Sequence, residues 1–206
     1  MKKILIYGDS NTWGDNFITG IRLEDDKQWP NILQKKLGND YKVIQEGLPG
    51  RVAGNCELVK NYKNGMSTFV STFRTNSPVD IIIIALGTND LQVKYNRTSE
   101  DIINDLIWYK DILLEQYNDL DDRLKYFNNK LPRIIYVLPP KFDLKNSDGI
   151  FNDNSEIIRK SLNDIKNKID DEIIVLEELP LVNDGIHLNE AGHQELADIV
   201  WRWINE

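Results

Sequence analysis

Residues 80–86 read DIIIIAL, an apolar run with no polar side chain after its first position. A strand that shows one face to water alternates apolar and polar residues, because successive side chains point to opposite sides of the sheet. A run without alternation predicts a central strand covered on both faces, as in parallel sheets flanked by helices. Other strand-like runs occur at 4–7 (ILIY), 41–45 (YKVIQ), 134–138 (IIYVL) and 172–176 (EIIVL).

Helical patterns separate these runs. Residues 29–37 carry a proline in the first turn, where a missing N–H costs nothing. Residues 99–117 place Ile102, Leu106, Tyr109, Leu113 and Tyr117 on one stripe, and 155–169 repeat it with Ile158, Leu162, Ile165 and Ile169. Residues 56–74 are predicted to be helical only in part, because Gly65 and β-branched residues interrupt them. From Glu190 onward Ala197, Val200 and Ile204 form a last stripe, with Asn189 placed to cap it. This alternation predicts an α/β three-layer sandwich with a central five-stranded parallel sheet in a flavodoxin-like arrangement. The chain, 1–206, is read as a single domain. Segment 118–132 is expected to be an irregular, charged surface extension, and 139–154 a loop.

Hydrophobic residues make up 41% of the chain, enough for a core without disulfides, and the net charge is −8. That charge disfavours nucleic acid and anionic membrane surfaces as partners. Cys56 stands alone, so no internal disulfide forms, and it is read as a small core residue. The apolar stretch after Met1-Lys2-Lys3 is too short for a signal peptide and no run reaches membrane-spanning length, so a cytoplasmic location is expected. Asn96-Arg97-Thr98 matches a glycosylation sequon but carries no weight without an export signal. Association with further copies of the chain stays open.

In parallel α/β sheets ligands bind beyond the carboxyl ends of the strands. Three turns fall on that rim: Gly8-Asp9-Ser10 after the first strand, 47–54 after the second, and Gly87 to Asp90 after the third. A serine hydroxyl needs a base to take its proton, and the base needs a third group to hold it. The chain has two histidines. In NDGIHLNEAGH, Asp184 lies three residues before His187, with Gly185 allowing a tight bend, so the carboxylate can reach Nδ1 and leave Nε2 facing Ser10. His193 falls inside the last helix with no comparable acid upstream and is read as a partly buried structural residue. Asp9 is read as binding turn amides. There is no H-x-x-H or C-x-x-C pair, so neither a metal nor a cofactor is expected.

Taken together, IYGDSNTWG, EGLPGR, ALGTND and DGIHLNEAGH resemble the SGNH (GDSL-type) hydrolases, over almost the whole chain. The wording GDSNTWG, EGLPGR and LGTND is similar to the arylesterase and acyltransferase branch of that family. The resemblance implies Ser10 as nucleophile, His187 as base and Asp184 as its orienting acid. It implies an oxyanion hole made of the Ser10 N–H, the Gly50 N–H and the Asn89 side chain, with Gly47 and Gly54 as the competing glycines. Asn11 stands where the family usually has leucine and bears on the shape of the substrate pocket. Trp13, close behind the nucleophile, is expected to line the acyl or alcohol pocket, with a core role the alternative.

The implied activity is a serine esterase acting through an acyl-enzyme on a small-molecule ester: short acetyl or aryl esters, with acetylated carbohydrates among the candidates. Transfer of the acyl group to an alcohol by the same triad is the alternative. A reading from another class is a non-catalytic flavodoxin-like module holding phosphate on the first rim loop. That loop lacks a G-x-G-x-x-G or Walker pattern, and Asp9 and Asp15 would repel phosphate. The loop 141–154 is a candidate lid.

Overall fold

The computed structural model of the chain describes residues 1–16 and 19–205. Strands β1 (Lys2–Gly8), β4 (Tyr41–Gly47), β5 (Ile81–Ala85), β6 (Arg133–Val137) and β7 (Glu172–Ile174) form one sheet in the order β4-β1-β5-β6-β7, each neighbouring pair parallel. A small antiparallel pair, β2 (Asp15–Asn16) and β3 (Ile21–Arg22), lies apart from it. The helices are α1 (Ser10–Trp13), α2 (Trp29–Leu37), α3 (Gly65–Asn76), α4 (Ser99–Asn118), α5 (Leu120–Tyr126), α6 (Asp153–Ser161) and α7 (Glu190–Asn205).

The period-2 geometry of the strands sorts their side chains into two cores. Leu5, Tyr7, Ile82, Ile84, Ile134 and Tyr136 pack with Phe69 and Phe73 of α3 and with Ile102, Leu106, Tyr109 and Leu113 of α4. Ile4, Ile6, Ile81, Ile83, Ile135 and Val137 pack on the opposite face with Trp29 and Leu33 of α2 and Leu196, Ala197 and Val200 of α7. The run 81–84 is buried throughout, with Ile81, its most open member, at 5% exposure. Its lack of alternation thus reflects two covered faces.

The sheet order has the 2-1-3-4-5 pattern of flavodoxin-like folds, with the direction of winding reversing between β1 and β5. The register aligns Gly8 with Gly47 on one side and with Ala85 on the other, so three turns leave the sheet at one level. No helix among the described residues is long and apolar enough to cross a membrane.

Three segments differ from the sequence reading. Residues 118–132 contain α5, nucleated by Asp119, whose side chain accepts hydrogen bonds from the N–H groups of Asp121 and Asp122. Its apolar residues Leu120 and Leu124 are 57% and 66% exposed, so the helix has no buried stripe to reveal it. Within 56–74 the helix starts only at Gly65, capped by Asn64. The helix expected over 155–169 begins at Asp153 under an Asn152–Ser155 capping box and tightens to a 3₁₀ helix from Leu162.

Candidate active site

Beyond β1 the chain turns directly into the short helix α1. Asp9 caps it, its Oδ1 accepting the Asn11 N–H at 3.0 Å, and Ser10 is the first helical residue, 5% exposed. This is the turn-binding role read for Asp9. The helix passes so close to the end of β4 that a Cβ on Gly47 would sit 2.3 Å from the Trp13 nitrogen, so only glycine fits there.

The histidine that faces Ser10 arrives from the other end of the sequence. Gly185 takes φ +73°, and a Cβ there would lie 2.0 Å from the Asp143 carbonyl, so the bend requires glycine. Within the bend Asp184 Oδ1 accepts the N–H groups of Ile186 at 2.9 Å and His187 at 3.0 Å. Its Oδ2 meets His187 Nδ1 at 2.5 Å, and His187 Nε2 lies 3.0 Å from Ser10 Oγ. With the Nδ1 proton directed to the carboxylate, Nε2 is the acceptor for the serine hydroxyl. The structure therefore brings Ser10, His187 and Asp184 into one relay.

Burial works to raise the Asp184 carboxyl, but the hydrogen bonds from the His187 ring and from the backbone of His187 and Ile186 outweigh it and hold the group below its ordinary range. Burial likewise works to lower His187; the bond and charge of Asp184, with smaller contributions from Asp15 and Asp9, outweigh it and raise the imidazole. His193 goes the other way. It is fully buried, more deeply than expected, with Nδ1 accepting the Trp29 N–H at 3.3 Å, and burial pushes it down to about 4.

Ser10, Asn89, Asp184 and His187 line a cavity of about 480 Å³. Its far wall is the loop 145–151, which presents Lys145, Ile150 and Phe151, with Gln92 and Ile186 beside it. The expected lid segment thus forms a wall, fastened to the body by Asp143 N–H to the Gly185 carbonyl at 2.9 Å and Val93 N–H to the Ile150 carbonyl at 3.0 Å. Asn89 donates one side-chain N–H to the Arg51 carbonyl at 3.0 Å, while its Oδ1 accepts from Gln92 at 3.0 Å.

Gly50, Asn11 and Trp13 do not line this cavity. Gly50 sits in the turn after β4 at φ +78°, under the Lys63 side chain. Asn11 holds the chain beside His187: its Oδ1 accepts the Leu188 N–H at 2.9 Å and its Nδ2 donates to the Ile186 carbonyl at 3.4 Å. It grips the chain on both sides of His187. Trp13 is half-buried, with the Arg22 guanidinium 5.2 Å from its ring centroid. In a helix each residue turns about 100° from the last, so a neighbour of Ser10 need not share its cavity.

One buried cluster had no sequence signal. Arg97, taken above only as part of a sequon, donates to Asp90 at 2.7 Å and to Asp105, while Asp90 accepts the Ala53 N–H with both oxygens. Asn55 completes the cluster on Asp105 at 3.1 Å.

The model of the GDSL-like lipase/acylhydrolase family matches residues 6–195. Among solved structures, the native M. smegmatis aryl esterase superposes with a TM-score of 0.82 at 24% identity, covering 100% of this chain and 99% of that one. Est24, a carbohydrate acetylesterase from Sinorhizobium meliloti, has a TM-score of 0.82 at 22% identity over 100% and 99% of the two chains. A carbohydrate acetylesterase family member from the same organism has a TM-score of 0.78 at 25% identity over 100% of both. No curated protein matches the sequence significantly.

Proposed function

The chain belongs to the GDSL-like lipase/acylhydrolase family, a family of ester-hydrolysing enzymes, and from that premise we propose that it cleaves short, uncharged carboxylic esters through an acyl-enzyme on Ser10. The observation that carries this reading is the relay from Asp184 through His187 to Ser10, with Nε2 3.0 Å from Oγ at the edge of a cavity.

In this mechanism His187 Nε2 takes the Ser10 proton as Oγ attacks the ester carbonyl carbon. The carbonyl oxygen gains negative charge, held by the Ser10 N–H and by the Asn89 N–H that the Arg51 carbonyl leaves free. A third donor, the Gly50 N–H, rests on the family resemblance alone. As the tetrahedral centre collapses, the imidazolium gives its proton to the departing alkoxide, and the alcohol leaves. Water then gives a proton to His187 while its oxygen attacks the acyl carbon, and the carboxylic acid is released with the hydroxyl of Ser10 restored. Asp184 holds the imidazole in the tautomer this sequence needs.

The cavity lining favours uncharged, small substrates. Lys145 and Asp148 offset each other, and Ile150, Phe151 and Ile186 supply an apolar surface suited to an acetyl or aryl group. The aryl and carbohydrate acetylesterase names among the structural relatives support the same range. No cofactor takes part, and EDTA is expected to leave turnover unchanged. The test is p-nitrophenyl acetate turnover by wild type and Ser10→Ala: a drop of at least ~1000-fold is expected, and equal rates overturn the proposal. A series of p-nitrophenyl esters is expected to lose kcat/KM as the acyl chain lengthens. Product analysis with an added alcohol separates hydrolysis from acyl transfer.

A further inference from the structure

Arg51 takes no part in the chemistry above, yet it is 6% exposed and touches all three rim turns. Its guanidinium lies 4.0 Å from the centroid of the Tyr7 ring at the end of β1. From there Nη1 donates to the Gly8 carbonyl at 2.8 Å and to the Glu46 carbonyl at 2.5 Å. Gly8 leads into Asp9 and Ser10; Glu46 leads into Gly47 and the second turn. The backbone of the same residue reaches the third turn, since its carbonyl accepts the Asn89 amide at 3.0 Å.

A carboxamide is planar, so tying one N–H to the Arg51 carbonyl fixes the direction of the other. The Arg51 carbonyl is in turn held relative to Ser10 by the side chain of its own residue, through Gly8. We propose that Arg51 is a positioning residue, setting the distance and angle between the Ser10 nucleophile and the Asn89 oxyanion donor. The inference rests on the esterase reading. Oxyanion donors act only where the charge develops, so a displaced donor loses transition-state stabilisation while ground-state binding stays.

The test is a cycle on p-nitrophenyl acetate with Arg51→Met, Asn89→Ala and the double variant, each first checked for a native circular dichroism spectrum. Arg51→Met is expected to lower kcat about 30-fold with KM within about twofold, and Arg51→Lys, which keeps a cation and donors, to recover about tenfold of that. In the Asn89→Ala background Arg51→Met is expected to cost less than about threefold more, because the donor it positions is already gone. Penalties that multiply, or a wild-type kcat in Arg51→Met, overturn the proposal. If Arg51→Met does not fold, the cycle is run with Arg51→Lys under the same two criteria, with expected losses of about threefold alone and none in the Asn89→Ala background. Activity retained in Ser10→Ala would instead fail the esterase reading itself.

Discussion

Two buried polar clusters stand on the same rim and use similar ingredients. Asp184–His187–Ser10 joins the two ends of the chain; Asp90–Arg97–Asp105 ties the turn after β5 to the loop at 53–55 and to α4. Both border cavities of similar size, about 480 Å³ and about 470 Å³, so a cavity alone does not mark a catalytic centre. The difference lies in the groups that carry the proton, since burial also raises the Asp90 carboxyl of the second cluster, to about 7. The first cluster ends in an imidazole and a hydroxyl 3.0 Å apart, which in the proposed mechanism exchange a proton near neutral pH. The second centres on a guanidinium that never gives up its proton and whose donors are committed to two carboxylates and the Gly54 carbonyl. It is a brace.

The largest expected effect tests that division directly. Asp184→Asn keeps an Oδ1 to accept the Ile186 and His187 N–H groups but sets an amide against Nδ1, which inverts the tautomer. The expected outcome is a loss of about 10⁴-fold in kcat with a nearly unchanged urea midpoint. Arg97→Met is the mirror image. It strands Asp90 and Asp105 without their cation and should cost about 3–5 kcal/mol of unfolding free energy, read by urea denaturation. In the folded fraction kcat should fall less than about tenfold. Exchanged phenotypes, with Arg97→Met inactive at full stability, would break the comparison.

Smaller effects sharpen it. Asn89 adjoins both clusters, because its neighbour Asp90 belongs to the brace. Asn89→Ala removes one of the donors the proposed mechanism places on the oxyanion and is expected to lower kcat by roughly 100- to 1000-fold. Asn11→Leu leaves the Leu188 N–H and the Ile186 carbonyl without their partner, at a cost of about 1–3 kcal/mol in stability. Its kcat should fall about tenfold as the His187 segment loosens, with p-nitrophenyl acetate as substrate in both measurements.

What could be read in the sequence follows from what is local. Uninterrupted burial marked 81–84, helical stripes marked α4 and α7, and Asp184, Gly185 and His187 lie within one bend, so their arrangement is written in consecutive residues. Helix α5 escaped because its leucines face water and only the Asp119 cap announces it. Arg51 and Arg97 escaped because nothing in a linear sequence distinguishes a buried arginine from a solvated one; their partners lie up to 43 residues away. Asn11 draws attention by its place in the family motif and Trp13 by closeness to Ser10, but the partners that hold them, the His187 segment and Arg22, are not legible in the sequence.

The smallest effect is a displacement along the pH axis. In the proposed mechanism His187 must be neutral to accept the Ser10 proton, so activity is expected to rise with pH through its pKa. That pKa is raised, because Asp184 outweighs burial, so the midpoint of kcat/KM should lie above the ordinary imidazole value of about 6.5. His193, pushed down to about 4, is neutral across this range and cannot supply the limb. The shift also has a partner to remove: in Asp184→Asn the residual activity should titrate at a lower pH than wild type, since burial of His187 then acts without its acid. A residual profile that keeps the wild-type midpoint would mean that the carboxylate orients the ring without setting its charge.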